Sequence, residues 1–297
     1  MDAKKGFSGE IILALTAVIW GAAFVAQSLG ADSLESFSYN SVRFFIGALT
    51  LVPVIIMRVR RKTAVKCSLK HLLIGGALCG TALFAASYLQ QSAIAFTDAS
   101  GDKSLVGKVG FLTALYIVLV PVIGIFFGKK TDLRTWISVA IAAAGMALIT
   151  DLKSLTIGTS DLMAIACAVM FSFQITFVDM FCKDMDSVKL SCVQFTVAAL
   201  LSGICALIFE SPTLEAALDG KWSILYVGVM SSGVAYTLQI VGQKRTKPQT
   251  ASLIMSLESV FSLLFGFIIL NERLSLGELC GCALMLCAVV LTQVKKK

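Results

Sequence analysis

Long apolar blocks run through this chain and are separated by short polar connections. A helix crosses the hydrocarbon core of a bilayer with roughly 20 mostly apolar residues, because each residue adds about 1.5 Å along the axis. The pattern predicts an all-α integral membrane protein. Its ten transmembrane helices are expected at residues 10–30, 36–57, 71–96, 105–127, 133–150, 160–181, 187–209, 222–243, 249–270 and 275–294.

Composition and charge agree with a membrane protein. Hydrophobic residues make up 57% of the chain and charged residues only 14%, whereas soluble domains carry about 25% charged residues. If the N-terminus is cytoplasmic, 19 of the 25 Lys and Arg residues fall in cytoplasmic segments. This bias predicts a multi-pass protein with both termini in the cytoplasm. It also explains the net charge of +7 without a nucleic-acid partner.

The second half of the chain repeats the order of the first half. Three blocks align at offsets of 151, 152 and 142 residues: Phe44 with Phe195, Gly76 with Gly228, and Leu115 with Leu257. The change of offset places about ten extra residues of the first half within Asp98–Gly110. Residues 1–151 and 158–297 are therefore interpreted as two five-helix repeats. An odd number of spans per repeat inserts the two halves in opposite orientations, an architecture of secondary transporters.

Several short motifs recur in a pattern known from one transporter family. They are Trp20–Phe24, Arg43-Phe44, Gly110–Tyr116 followed by Pro121, Ser256–Phe261, and Asn271–Leu274 followed by Gly281. In this order the motifs resemble the EamA-type branch of the drug/metabolite transporter superfamily, over essentially the whole chain. The resemblance implies a ten-span permease of two inverted repeats. Such permeases carry amino acids or related small organic solutes across a bacterial cytoplasmic membrane, often as exporters.

The chain departs from the family pattern at two positions. Lys130 stands in the first half where the second half has Glu272, and the commoner family form keeps an acid in both. Ser259 follows Glu258 where the commonest form has Pro, which can change the kink of that span. Neither departure changes the predicted class.

Glu258 is the carboxylate nearest the middle of a predicted span. An acidic side chain at the centre of a bilayer costs roughly 2.5–3.5 kcal/mol on insertion scales, so such groups face cavities or partners. Glu258 is therefore a candidate to carry a proton or to bind a substrate ammonium group. The alternatives are a hydrogen bond to a neighbouring helix or an ion pair with Arg43. Arg43 itself could neutralise Glu258, contact a substrate carboxylate, or have a structural or gating role.

Amide and aromatic side chains are frequent within the predicted spans. Amides both donate and accept hydrogen bonds, which suits a cavity for a polar solute. Family resemblance implies a cavity lined by spans one, three, four, six, eight and nine. That choice disfavours Gln194 and selects as candidates Trp20, Gln90, Gln91, Tyr116, Gln174 and Gln239. Tyr88 and Tyr236 are further aromatic residues on the same spans. Ordinary packing and helix–helix hydrogen bonds are the alternative for each of them.

Motifs for other chemistry are missing from the sequence. His71 is the single histidine, the nine cysteines contain no CxxC pair, and no Walker A motif is present. We therefore expect no metal, no cofactor and no enzyme activity. The sequence predicts a secondary transporter for a small polar solute. An uncoupled facilitator or a lipid or drug flippase of the same fold is the alternative, and an intramembrane enzyme is the weakest one.

Three properties are left open. Protons are a candidate coupling ion, through Glu258. The direction of transport and the solute depend on side chains in a cavity that the sequence does not define. The chain is expected to be a monomer or a weak homodimer in the lipid bilayer, with Gly277 and Gly281 forming a small-residue face that suits either packing within the chain or a dimer contact.

Overall fold

The chain folds into a bundle of helices. The computed structural model describes residues 3–31, 33–63, 65, 67–99, 104–149, 158–270 and 274–293, with side chains within 8–30, 33–63, 65, 67–96, 109–149, 158–269 and 274–292. No strand occurs in these ranges. The helices are α1 (Ala3–Ala31), α2 (Ser36–Arg60), α3 (Leu69–Ala99), α4 (Ser104–Thr113), α5 (Tyr116–Phe126), α6 (Leu133–Ile149), α7 (Thr159–Phe181), α8 (Ser187–Phe209), α9 (Leu214–Asp219), α10 (Lys221–Tyr226), α11 (Thr237–Gln243), α12 (Pro248–Met255), α13 (Glu258–Leu270) and α14 (Leu276–Gln293).

Eight helical segments of the described chain are long and apolar enough to cross a membrane. They are Ser8–Gly30, Ser36–Arg60, Leu69–Phe96, Val109–Phe126, Thr159–Asp184, Ser187–Phe209, Lys221–Gln243 and Pro248–Ile269. Each overlaps one of the predicted spans, so the all-helical membrane fold is confirmed. The other two predicted spans correspond to the shorter apolar helices Leu133–Ile149 and Leu276–Thr292. The count of ten spans stays a prediction.

Two of the spanning segments contain a break near their middle. The first is interrupted between Thr113 and Tyr116, where α4 ends and α5 begins. The second is interrupted between Met255 and Glu258, where α12 ends and α13 begins. A helix break inside a membrane is tolerated where the freed backbone groups lie within protein or line a cavity.

A third spanning segment changes its winding instead of breaking. The π-helix Val227–Tyr236 joins α10 to α11 and packs closely against α2. A Cβ atom added to Gly228 would lie 2.8 Å from the Cβ of Ile46, and one added to Gly47 would lie 2.7 Å from the Cβ of Ser232. Such glycines let the two backbones approach.

The main helix packing joins elements from the two halves of the chain. The helix pairs are α2 with α8, α3 with α7, α3 with α8, α6 with α14, and α1 with α13. Gly281 of α14 lies directly against the backbone of Gly145 in α6. The small-residue face of α14 is therefore used at Gly281 for packing within the chain, as one of the two interpretations of the sequence expected.

Two carboxylates connect α2 and α8 at opposite ends of this antiparallel pair. Glu210, directly after α8, accepts hydrogen bonds from the backbone N–H groups of Phe37 and Ser38, each at 2.7 Å. At the other end, Asp186 caps the start of α8 and pairs with Arg58 at 3.1 Å. Side-chain acceptors at a helix N-terminus satisfy backbone donors that have no partner within the helix.

The outward face of the bundle is apolar. Phe45, Leu49, Val52 and Ile56 recur at helical spacing on α2, and each is more than 40% exposed. In a soluble protein this surface would be unfavourable, whereas in a bilayer it contacts lipid. The motif segment Asn271–Arg273, the residues 295–297 and the side chains of residues 98–108 lie outside the described ranges.

Candidate functional site

A small cavity lies in the centre of the bundle, where helices of both halves meet. It encloses about 30 Å³, which is room for about two water molecules. Its lining alternates aromatic rings with amide and charged groups. The lining residues are Trp20, Phe24, Gln27, Arg43, Gln90, Tyr116, Phe171, Gln174, Ile175, Ser231, Tyr236, Gln239 and Glu258.

Helical spacing explains which positions reach the cavity. Trp20, Phe24 and Gln27 lie four and three residues apart on α1, so they share one face of that helix. Phe171 and Gln174 repeat this arrangement on α7. Tyr116 and Glu258 instead reach the cavity from the two helix breaks, since each is the first residue of the helix that follows.

The structure brings together all but one of the side chains proposed from the sequence. Trp20, Arg43, Gln90, Tyr116, Gln174, Gln239 and Glu258 line the cavity. Gln91 does not line it, because adjacent residues of a helix point in directions about 100° apart. Its amide is 1% exposed, and both polar atoms lack a hydrogen-bond partner among the described residues.

Other lining residues were not among the selected candidates. Tyr236 is one of the aromatic residues noted on span eight, and Gln27 follows from Trp20 by helical spacing. Ser231 lies five residues before Tyr236 in the π-helix, a spacing that an α-helical pattern does not predict. Tyr88, an aromatic residue on span three, stacks on Phe37 at 3.9 Å between ring centroids and does not line the cavity.

Glu258 is held by a residue of the other half of the chain. The phenol of Tyr116 donates a hydrogen bond to Glu258 Oε1 at 3.1 Å. Glu258 is also in the first turn of α13, where the helix dipole favours negative charge. Of the alternatives considered for this carboxylate, the described structure shows the hydrogen bond and no ion pair with Arg43.

Arg43 is a buried cation with part of its donor capacity unused. It is 1% exposed. Its Nε donates to Asn40 Oδ1 at 2.7 Å and its Nη1 to Gln27 Oε1 at 3.0 Å, while Nη2 has no partner among the described residues. The guanidinium carbon also lies 4.6 Å from the ring centroid of Phe44. The groups around the guanidinium are neutral amide oxygens and an aromatic ring, so no carboxylate among the described residues compensates its positive charge.

Amides close one side of the cavity. Gln239 Nε2 donates to Gln174 Oε1 at 3.0 Å, and Gln174 Nε2 approaches Gln194 Oε1 at 3.4 Å. These contacts show helix–helix hydrogen bonding for Gln174 and Gln239, which also line the cavity. Gln194 Nε2 has no partner among the described residues.

Aromatic rings also line the cavity. Trp20 packs edge-on against Tyr236, with ring centroids 4.7 Å apart. The indole Nε1 of Trp20 is buried and lacks a hydrogen-bond acceptor within the described chain. A buried indole N–H usually finds an acceptor, so Trp20 and Arg43 both offer unused donors beside the cavity.

The described residues contain no group of three or more His, Cys, Asp or Glu side chains that could hold a metal ion. The cavity therefore offers charge, amides and aromatic faces as its means of recognition. These groups can bind and orient a polar solute.

Comparison with known proteins gives a consistent result. An archaeal protein of Archaeoglobus fulgidus, named an uncharacterized transporter, is 28% identical over 99% of this chain and 88% of its own length. The uncharacterized transporter YoaV of Bacillus subtilis is 22% identical over 94% of this chain and 95% of its own length. Among solved crystal structures, one with 17% identity aligns over 96% of each chain with a TM-score of 0.76, which shows a shared fold.

A family model matches nearly the whole chain in two consecutive copies. The model for the EamA-like transporter family matches residues 7–151 and again residues 158–294. This match confirms the resemblance found in the sequence motifs, and together with the relatives it indicates membrane transport. The chain belongs to the EamA-like transporter family.

Proposed function

We propose that this protein is a secondary transporter that moves an amino acid or a related small polar solute across a bacterial cytoplasmic membrane by alternating access. One observation carries the proposal. Arg43 and Glu258 line the same central cavity but are not paired with each other in the described structure. A zwitterionic solute supplies the carboxylate and the ammonium group that these two side chains complement.

The proposed binding mode uses the free capacity of each side chain. Arg43 Nη2 is the unpartnered donor for a solute carboxylate. Glu258 keeps one carboxylate oxygen beyond its bond from Tyr116 and accepts from an ammonium group. Trp20 lies on the same cavity, where its ring face suits a cation and its N–H an acceptor. Gln174 and Gln239 complete the polar surface.

The ten-span inverted repeat is part of the proposal. A residue that touches its own equivalent in the other half must lie on the axis that relates the halves. Phe44 and Phe195, equivalent at the offset of 151, stack with centroids 6.2 Å apart. Tyr116 and Glu258, equivalent at the offset of 142, are hydrogen-bonded. Two such contacts support a pseudo-two-fold relation between residues 1–151 and 158–297.

The two short helices fit as the fifth and tenth spans. Leu133–Ile149 has 17 residues, which corresponds to about 25 Å against a hydrocarbon core of about 30 Å. A shortfall of this size is accommodated by local thinning of the bilayer or by flanking side chains. These helices pack against each other through Gly145 and Gly281, so they occupy equivalent places at the edge of the bundle.

The size of the cavity and the contacts that close it at both ends support alternating access. A volume of about 30 Å³ is far smaller than an amino acid, so binding requires the halves to separate. At one end, Lys129 pairs with Asp179 across the halves. At the other, the hydroxyl of Ser223 bonds to the phenol of Tyr39 at 2.8 Å. Opening either set alone exposes the cavity to one side.

The basic end of the bundle is proposed to face the cytoplasm, with both termini there. We define the basic end by the helix ends that carry Arg58, Lys70, Lys129, Lys183 and Lys244. This placement follows the excess of Lys and Arg on the cytoplasmic side of membrane proteins. Packing of Gly281 within the chain removes it from any dimer face and supports a monomer.

Protons are the proposed coupling ion, and Glu258 is the proposed carrier. A buried carboxylate inside a membrane is a recurrent element of proton relays. Tyr116 can support either state of Glu258, because a phenol donates to the carboxylate and can also accept from the protonated acid. Export or import then depends on the side to which the protonated, empty site opens.

The test is solute counterflow in proteoliposomes with labelled amino acids, with and without a pH gradient. We expect saturable exchange of a zwitterionic solute that the gradient accelerates, and loss of that acceleration in Glu258→Gln. If the pH gradient does not change the exchange rate of the wild-type protein, the protein is an uncoupled facilitator and not a proton-coupled transporter. No exchange by any amino acid, together with movement of labelled lipid, would contradict the proposal in favour of a flippase.

A further inference from the structure

A second cleft, of about 310 Å³, opens at the basic end of the bundle. Its floor consists of the buried side chains of Asp179, Gln243 and Gln249. Cationic side chains surround that floor, and Asp179 is the one carboxylate among the described lining residues. The cations are Lys129, Lys130, Lys183, Lys244, Arg245 and Lys247.

Most of this positive charge is not compensated. Asp179 is 2% exposed and pairs with Lys129. Within the described part of the chain, the side chains of Lys130, Lys183 and Lys247 make no ion pair or hydrogen bond. Partial burial, followed by the charge of Lys183, lowers the pKa of the Lys129 ammonium group. The cations therefore crowd one another, and an oxyanion in the cleft would relieve that repulsion.

The cleft lies directly below the central cavity. Gln239 lines the cavity and Gln243 lines the cleft, one helical turn further along α11. Gln243 Nε2 donates to the backbone carbonyl of Ile175, a cavity residue, at 3.0 Å. Between cleft and cavity the path is therefore closed by about one turn of helix, roughly 5 Å.

We propose that this cleft binds the carboxylate or phosphate group of the solute at the cytoplasmic mouth, before the solute reaches the central cavity. The inference rests on the proposed function and adds a first, peripheral binding site for the solute's oxyanion, outside the central cavity. A cleft in which one sign of charge predominates concentrates oppositely charged ligands and can raise association rates by about 10- to 1,000-fold.

Binding in the cleft also acts on the contact between the halves. Lys129 follows α5 in the first half, and Asp179 lies on α7 in the second. Gln249 Nε2 crosses between the same halves to Thr131 Oγ1 at 3.3 Å. A solute oxyanion competes with Asp179 for Lys129 and so loosens this closure. Occupancy of the mouth and opening of the mouth are thereby coupled.

An anionic lipid headgroup has the same oxyanion chemistry. The geometry favours the solute, because residues of α7, α11 and α12 and the residues that follow α5 line the cleft, and all of these helices belong to segments that also line the cavity. A headgroup would have to leave the lipid-facing surface to reach Asp179. The experiment therefore has one arm for each source.

The first arm measures thermal unfolding of the purified full-length protein with sodium phosphate against sodium chloride at equal ionic strength. We expect phosphate to raise the Tm saturably. Lys183→Gln and Lys247→Gln should raise the half-saturating phosphate concentration by about tenfold or more, since hydrogen bonds to charged groups are the strong ones. Lys70→Gln removes the same charge at the same end but outside the cleft, and should leave the phosphate response unchanged.

The second arm repeats the measurement in nanodiscs of phosphatidylcholine with and without phosphatidylglycerol. A phosphate response that persists in both membranes supports a site for a soluble oxyanion. Loss of the response in phosphatidylglycerol would mean that the headgroup occupies the cleft, and would overturn the assignment to the solute. Absence of any phosphate response in wild type, or an equal weakening in Lys70→Gln, would also overturn it. Because this readout needs no transport, it is independent of the counterflow test.

Discussion

Tyr116 and Glu258 are hydrogen-bonded to each other at 3.1 Å although 142 positions separate them, the same offset at which their two halves align. Each is the first residue after a helix break inside a spanning segment. In the proposed inverted repeat the phenol and the carboxylate occupy equivalent positions, and both line the cavity. A substitution of either residue therefore removes the hydrogen-bond partner of the other.

Tyr116→Phe should destabilise the protein by about 1 kcal/mol, because the half-buried carboxylate of Glu258 loses its donor. The measurement is thermal or denaturant unfolding in detergent, combined with Glu258→Gln in a double-mutant cycle. We expect the double variant to lose less than the sum of the two single variants. Tyr226→Phe is the matched control, since that phenol makes only a 3.5 Å contact to Ile19. Additive losses would contradict a direct interaction.

Arg43→Lys should weaken recognition of the solute carboxylate while leaving the protein folded. A single ammonium group cannot replace the separate nitrogens that bond Asn40 and Gln27 and still offer a third donor. With the amino acid that exchanges, we expect the half-saturating concentration in counterflow to rise about tenfold or more. The corresponding amine without its carboxylate should be affected little. Equal losses for both compounds would argue against a carboxylate contact at Arg43.

Apolar periodicity and positively charged connections predict most of the fold from the sequence. The spans are visible because a bilayer requires long apolar segments, and eight of them coincide with long helices. The candidate side chains could also be predicted in large part, since polar residues such as Glu258 and Arg43 are expensive in hydrocarbon and so must face a cavity or a partner.

The remaining features depend on packing between distant segments. Nothing in the sequence around Gln91 distinguishes it from Gln90, yet the rotation of α3 directs only Gln90 to the cavity. The cleft around Asp179 is built from the ends of several helices that are far apart in the sequence. The sequence therefore shows its basic residues only as markers of the cytoplasmic side.

Glu210→Ala should cost about 1–2 kcal/mol of stability, because the start of α2 loses the acceptor for its two backbone donors and for the Ser38 hydroxyl. Glu215→Ala is the control. That residue lies in the first turn of α9, is exposed, and accepts no hydrogen bond from α2. Thermal unfolding of the two variants should separate them clearly. Equal losses of stability in the two variants would show that the negative charge stabilises this end of the bundle and that the hydrogen bonds to the start of α2 do not.

Gly281→Ala should destabilise the protein by about 1–3 kcal/mol through overpacking, since the added methyl group meets the backbone of α6 at Gly145. Gly277→Ala, on the same helix, should change stability little, because its nearest neighbour is the Leu148 carbonyl at 3.5 Å. The test compares the Tm of the two variants with that of wild type in the same detergent. A neutral Gly281→Ala would mean that α6 and α14 can separate without loss.

The carboxylates Asp186 and Glu210 hold one helix pair, α2 and α8, together at both of its ends. Because Phe44 also stacks on Phe195 between these contacts, we expect this pair to keep its packing during the proposed alternating access. The two halves would then tilt about the pair without sliding past each other. The change in shape would fall on the flank that holds Tyr116 and Glu258, where the helices are already broken.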